Sequence, residues 1–335
     1  MEKNERTPAD LLQLSGGYWS TCALHAGVKL DLFTPLAEET LSASALAARL
    51  AYPDRGLAML LNALTAMGLL EKDGERYGAT PFAARFLARS SPEYLGYIIL
   101  HHHNLMAGWN RLDEAVQGGR PVRGQVSHTD DAAARESFEM GMFNLAMLVA
   151  PRIVPRIDLS GRRRLLDLGG GPGTYAIHFC RHNPDLTAVV YDLPSTRPFA
   201  EKTIVRFGLA DRIEFRDGDF ITGDIEGRYD VAWLSQILHA EGPQQCAVIL
   251  AKTAAVLEPG GMILVQEFIL DDAKNGPLFP ALFSLNMLVG TEAGRSYSEG
   301  ELVAMLERAG FENARRLPLD LPNGAGVIVA TAPGG

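Results

Sequence analysis

Residues 164–174 read RLLDLGGGPGT, an apolar run from Arg164 that ends on an acid and breaks into glycines before Thr174. The run has the length of a buried strand, and the glycines after it let a backbone approach a ligand without Cβ clashes. Two kinds of cofactor loop begin in this way. The dinucleotide pattern G-x-G-x-x-G, started at Gly169, needs glycine at position 174 and meets Thr174, which argues against a nicotinamide oxidoreductase. Asp167, Gly169, Gly171 and Gly173 instead fit D-x-G-x-G-x-G.

From Gly161 onward, short apolar runs alternate with helical stretches, the grammar of a largely parallel sheet covered on both faces. Strands are predicted near 164–168, 187–191, 213–216, 229–234, 262–268, 314–318 and 327–330. The fold class is therefore α/β. A doubly wound, seven-stranded, Rossmann-like domain is expected over 159–335, and a mostly helical domain over 1–158.

The N-terminal part carries apolar residues at helical spacing. LSASALAARL at 41–50, the Pro53-Asp54 start, a second helix over 57–70 and a hairpin around Asp73-Gly74 make the order of a winged helix. DNA readers turn Arg, Lys, Asn or Gln toward the groove. This second helix offers Leu57, Met59, Leu60, Leu61, Leu64 and Met67 with Arg55 as its nearby base, so a ligand-sensing DNA-binding regulator is disfavoured. Together with the apolar stretch 24–33 it exceeds what a helical arm buries alone, and a homodimer is expected. Gly118, Gly119, Pro121 and Gly124 mark a loop. Asp130 and Asp131 then open a helix that Pro151 and Pro155 are expected to break.

A chain of 335 residues with 47% hydrophobic content can fill two cores. Its 31 basic against 40 acidic residues give a net charge of -9, which repels phosphate backbones, so no nucleic-acid partner is expected. The charged start, 1–6, has no apolar h-region, and no run reaches the roughly 18 apolar residues of a membrane span. The expected setting is cytoplasmic, without a membrane partner. Cys22, Cys180 and Cys246 lie far apart without a Cys-x-x-Cys pair and are expected to be buried. His101, His102 and His103 are adjacent, so on a helix they point about 100° apart and cannot converge on one ion. No metal is expected.

Asp192 ends the second predicted strand, 25 residues after Asp167, where a carboxylate can accept from both hydroxyls of a ribose. Asp219-Phe220 follows the third strand and can give a polar contact and an apolar wall to an adenine ring, although Asp217-Gly218-Asp219 also reads as a plain turn. His239 follows the fourth strand and Glu267 ends the fifth. Those strands are neighbours in a doubly wound sheet, so imidazole and carboxylate can meet as base and orienter.

The DLGGGPG turn, Tyr191-Asp-Leu-Pro194, Gly218-Asp-Phe220, Ile237-Leu-His239, Leu257-Glu-Pro-Gly-Gly261, Gln266-Glu267 and Ala309-Gly-Phe311 together resemble the plant caffeate-type and acetylserotonin-type O-methyltransferases and their bacterial small-molecule members. Gly27-Val-Lys-Leu-Asp-Leu-Phe33 and Met67-Gly-Leu-Leu-Glu-Lys72 extend the likeness over nearly the whole chain. The resemblance implies a winged-helix dimerisation domain and S-adenosyl-L-methionine bound around Asp167, Gly169, Gly171, Asp192, Asp219, Phe220 and Ser235. It implies methyl transfer to a hydroxyl of a small acceptor, with His239 as base and Glu267 orienting it. Phenols, with pKa about 10, are mostly protonated at neutral pH, and imidazoles can take that proton.

His103, Trp109, Met140 and Asn286 are the candidates for acceptor contacts, with Met142, Phe143 and Met147 divided between core and pocket lining. The segment 278–289 roofs the pocket in this reading, and Tyr18 and Trp19 reach across the dimer. The chain departs from the family in His239-Ala240-Glu241, where His-Asp-Trp is usual, in Ser235, where many members carry Lys, and in Ser296, where a second glutamate falls. Related proteins that keep the cofactor but hydroxylate or rearrange their substrates are the alternative.

Overall fold

Thr7 opens the first helix of the computed structural model, which describes residues 6–334: its hydroxyl accepts from Asp10 N–H while the Asp10 carboxylate accepts from Thr7 N–H, a capping box. The charged residues 1–5 lie outside the described residues. By its contacts the chain divides after Asn104 into two units.

The first unit holds α1 (Pro8–Gly16), α2 (Tyr18–Lys29), α3 (Phe33–Glu38), β1 (Leu41–Ser42), α4 (Ala43–Leu50), α5 (Asp54–Ala66), β2 (Leu70–Asp73), β3 (Arg76–Ala79) and α6 (Pro81–Leu87). Ser42 caps α4 by accepting from Ala45 N–H, and the three short strands pair in the order β1-β3-β2. This is the predicted helix, turn, helix, hairpin. The expected apolar surplus is corrected here. Val28, Leu32, Phe33, Leu57, Leu61 and Leu64 bury one another in this unit's own core, because α2, α3 and α5 turn their apolar stripes inward. The exposed apolar residues include instead Leu11, Leu12, Leu14, Tyr18 and Trp19 of α1 and α2, with Met59 on α5, Phe82 on α6, and Tyr52 and Met67 at helix ends.

The boundary falls inside α7 (Gly96–Trp109), followed in the second unit by α8 (Leu112–Gly118) and α9 (Ala132–Ile153). The change of grammar expected at 158/159 lies further on, between α9 with its 3-10 extension and the first strand of the large sheet. Residues 105–158 group with that sheet because Ala150, Ile153 and Val154 share a core with Leu165, Ile177 and Val190. Pro151 does not break α9. It sits in the last turn, where a missing N–H costs one terminal bond, and the helix ends at Ile153.

The rest reads β4 (Arg164–Leu168), α10 (Thr174–His182), β5 (Thr187–Asp192), α11 (Arg197–Arg206), β6 (Ile213–Asp217), β7 (Tyr229–Ser235), α12 (Pro243–Val256), β8 (Leu257–Phe268), α13 (Leu278–Gly290), α14 (Glu299–Arg308), β9 (Glu312–Arg316) and β10 (Ala325–Thr331). All seven predicted strands are present, in the order β6-β5-β4-β7-β8-β10-β9, with β10 antiparallel to both neighbours. The order reverses between β4 and β7, the switch point where the carboxyl ends of strands leave a crevice. Apolar side chains cover both faces, one core around Leu166, Ile249 and Val265 and the other around Leu165, Phe179 and Trp233.

Cys180 and Cys246 are buried, but Cys22 is exposed on α2, contrary to the expectation for all three. The reason is its place on the outward face of that helix, which buries His25 and Val28 instead. Among the described residues no helix is long and apolar enough to cross a membrane, and no group of His, Cys, Asp or Glu is placed to hold a metal ion.

Candidate active site

At the end of β4 the chain turns through Gly169, Gly171 and Gly173, all with positive φ, which side chains other than glycine rarely tolerate. At Gly169 space is also decisive: a Cβ there would lie 2.2 Å from Ile237 Cδ1 and 3.3 Å from Phe220 Cε1. Phe220 and Ile237 thus form an apolar wall over bare backbone. Asp167 supports this turn from below, being 1% exposed, with Oδ2 accepting from Ala176 N–H of α10 at 3.1 Å. Burial pushes its carboxyl up to about 7, against the pull of that N–H.

Asp192 closes the turn from β5. Its Oδ2 accepts from Gly171 N–H and its Oδ1 from Leu193 N–H, both at 2.7 Å. Glu139 of α9 joins it from the other side, its Oε1 accepting from the Thr196 hydroxyl at 3.0 Å, and that hydroxyl lies 3.4 Å from Asp192 Oδ1. Burial, and then the nearby Asp192 charge, push the Glu139 carboxyl up to about 7. Sequence reading missed Glu139 because α9 reads as an unremarkable helix; its only signal is an acid between Phe138 and Met140 on a largely apolar stretch.

Asp219 holds its own turn: Oδ1 accepts from Ile221 N–H at 2.8 Å and Oδ2 from the Thr222 hydroxyl at 2.8 Å. The plain-turn reading of Asp219 is therefore realised, with Phe220 standing over Gly169 beside it. Ser235 donates to Gln266 Oε1 at 3.1 Å across β7 and β8. The next residue, Gln236, has φ of 61°, and its buried Oε1 has no partner in the chain, nor has Thr174 Oγ1 at the start of α10. Strain and orphaned polar atoms beside a glycine cradle mark a place built for a ligand. A ligand with ribose hydroxyls, an aromatic base and net positive charge fits this set of carboxyls, bare backbone and apolar wall.

Past Gln236 lies the second focus. His239 is 8% exposed, with Nδ1 2.7 Å from Glu267 Oε2, while its backbone N–H donates to Glu267 Oε1 at 3.2 Å. Its carbonyl accepts from Arg295 N–H at 2.8 Å. An ionised carboxylate only accepts, so Nδ1 carries the hydrogen and Nε2 is left as a base. Phe283 of α13 meets the imidazole edge-on at 4.8 Å, and Phe268 and Phe279 continue an aromatic wall.

Of the acceptor candidates, Trp109 Nε1 donates to Asn286 Oδ1 at 3.1 Å, joining two of them. Met140 is half-buried on α9, beside Glu139 in sequence. His103 belongs to the first unit, where its Nε2 lies 3.0 Å from Lys29 Nζ and its ring stands edge-on to His25. At the departures from the family pattern, the Ser296 hydroxyl donates to Pro280 O, and the Glu241 carbonyl accepts from the Tyr297 hydroxyl.

Residues 109–312 match the O-methyltransferase domain, and residues 12–89 match the O-methyltransferase dimerisation domain. The chain belongs to the O-methyltransferase family. It is an S-adenosylmethionine-dependent O-methyltransferase with a winged-helix dimerisation domain ahead of a Rossmann-like catalytic domain. It is 36% identical to a 3-hydroxy-5-methyl-1-naphthoate 3-O-methyltransferase of Streptomyces sahachiroi, over 96% of this chain and 94% of that one. It is 35% identical to the tetracenomycin polyketide synthesis 8-O-methyl transferase of Streptomyces glaucescens, over 95% of each. Among solved structures it resembles human N-acetylserotonin methyltransferase in complex with SAM, with a TM-score of 0.85 at 26% identity, covering both chains fully (100%).

Proposed function

We propose that this O-methyltransferase methylates a hydroxyl of a small aromatic or enolic metabolite, with His239 as general base and Glu267 as its orienter. The observation that carries the reading is the buried pair of His239 Nδ1 and Glu267 Oε2 at 2.7 Å, beside an aromatic wall and one strand from the glycine turn. Bound S-adenosylmethionine supplies an electrophilic methyl group on a sulfonium. Nε2 of His239 would take the hydroxyl proton as the oxygen lone pair bonds to that methyl and the methyl–sulfur bond breaks, S-adenosylhomocysteine being the neutral leaving group, and the Glu267 carboxylate would stabilise the imidazolium that results. The names of the two Streptomyces relatives, one carrying a hydroxynaphthoate and the other tetracenomycin polyketide synthesis, support a flat aromatic acceptor here.

In this reading Asp192 accepts from ribose hydroxyls, Gly169 and Gly171 present backbone, and Asp219 and Phe220 flank the base. Asp167 braces the turn and Ser235 borders the cofactor. Trp109, Met140 and Asn286 face the acceptor. The functional division lies at 158/159, and the dimerisation domain forms a homodimer through α1 and α2. The protein works in the cytoplasm on small molecules, without nucleic acid or membrane. Incubation with S-adenosylmethionine and a panel of phenolic and enolic acceptors tests this: a methylated product and S-adenosylhomocysteine should form together. Cofactor binding without methylation of any panel member would count against the acceptor class.

A further inference from the structure

Arg123 follows the loop after α8, and its backbone is fixed: Val122 N–H and Arg123 N–H both donate to Val289 O, near the end of α13. Two glycines leave room for the side chain. A Cβ at Gly108 would lie 2.9 Å from Arg123 Cδ, and one at Gly290 would lie 2.4 Å from Cζ and 2.5 Å from both terminal nitrogens. The guanidinium is thus laid flat on bare backbone.

Among the described residues its hydrogen bonds go only to neutral groups. Nη1 donates to Gly124 O at 3.0 Å and Nη2 to Asn286 Oδ1 at 3.4 Å, while Nε is buried without a partner. Arg111, Arg197 and Arg216 each hold a carboxylate, whereas among the described residues none pairs with Arg123. Burial lowers its pKa, yet arginine stays charged. A partly buried cation with a spare donor and no counter-charge is a site for an anion.

The position says which anion. Phe279, Phe283 and Asn286 are spaced four and three apart on α13 and share one face. Phe283 touches His239, and Asn286 holds Arg123 and Trp109, so base and cation meet side chains that stand about one helical turn, roughly 5 Å, apart on α13. A fused-ring acceptor laid along this turn reaches both.

We propose that Arg123 recognises a carboxylate on the acceptor, so that this enzyme prefers hydroxylated aromatic carboxylic acids. The inference rests on His239 marking the acceptor site. The test compares 3-hydroxy-2-naphthoic acid with 3-hydroxy-2-naphthamide, by calorimetry on protein saturated with S-adenosylhomocysteine and by turnover with S-adenosylmethionine. Wild type should bind the acid at least tenfold more tightly than the amide. Arg123→Gln should bring that ratio toward one, mainly through KM, and Arg123→Lys should keep part of it. Equal binding of acid and amide by wild type overturns the proposal even where the glutamine variant does not fold. So does a ratio that survives Arg123→Gln. Turnover of the same acceptors by His239→Ala distinguishes the two levels: full activity there removes the underlying acceptor site, whereas lost activity with an unselective wild type removes only the role of Arg123.

Discussion

Glu267 grips His239 at two points, Oε2 at 2.7 Å from the ring Nδ1 and Oε1 at 3.2 Å from the backbone nitrogen, so one carboxylate sets both the tautomer and the position of the loop after β7. Glu267→Gln keeps the shape and an acceptor but loses the charge that favours imidazolium. Turnover should fall, by less than in His239→Ala. The double variant should be no slower than His239→Ala alone, since residues acting as a unit are not additive. Steady-state kinetics on the two single variants and the double variant checks this; additive losses would separate the two roles.

Asp192→Ala should weaken S-adenosylmethionine binding by about 1.5 to 3 kcal/mol, the scale of hydrogen bonds to a charged group. Its carboxylate also ties down Gly171 N–H, so the loss combines ligand and loop. Titration calorimetry showing wild-type affinity would remove Asp192 from the site.

Glu139 makes the cofactor-free protein sensitive to pH. Burial lifts its carboxyl from an ordinary 4.5 to about 7, so the folded state holds its proton more tightly than the unfolded chain does. Its contribution to stability is full below pH 4.5 and is lost as pH rises through about 7. Thermal melts should therefore decline over this window. Glu139→Gln, which can still accept from Thr196, should flatten the decline and gain Tm at pH 8. A parallel decline in wild type and variant would contradict the assignment; a residual slope is expected from Asp167, which burial also lifts.

Leu11, Leu12 and Trp19 are 65%, 73% and 70% exposed on α1 and α2, too much apolar surface to leave in water. Light scattering at micromolar concentration should give a dimer. Leu12→Glu with Trp19→Glu should give a folded monomer, and a wild-type monomer would refute the interface.

The large sheet was legible because glycine and proline punctuate its strands and because a parallel strand is a short apolar run between them. Asp167, Asp192, His239 and Glu267 were legible because each ends a strand or directly follows one, and the sheet order brings those ends together. The amphipathic stripes of α2, α3 and α5 were read as surplus because a stripe does not say what faces it; here they face one another. Strand β8 begins at Leu257, earlier than the expected 262, but Leu257 pairs with Tyr229 and Met262 with Val231, so the four residues between them are passed over in a register shift. Arg123 and Glu139 were invisible because their meaning comes from elements distant in sequence: Gly290 and Asn286 for one, Thr196 and Asp192 for the other.

Removal of the acceptor proton by His239 can be read from the turnover of His239→Ala, measured from pH 6 to 9 on a methylated acceptor. Loss of the base predicts a fall of roughly 10²- to 10⁴-fold at neutral pH with S-adenosylmethionine affinity nearly unchanged. It also predicts partial recovery as pH approaches the acceptor's own pKa, where the anion forms without help. Full turnover across that range would contradict it and leave proximity as the source of catalysis.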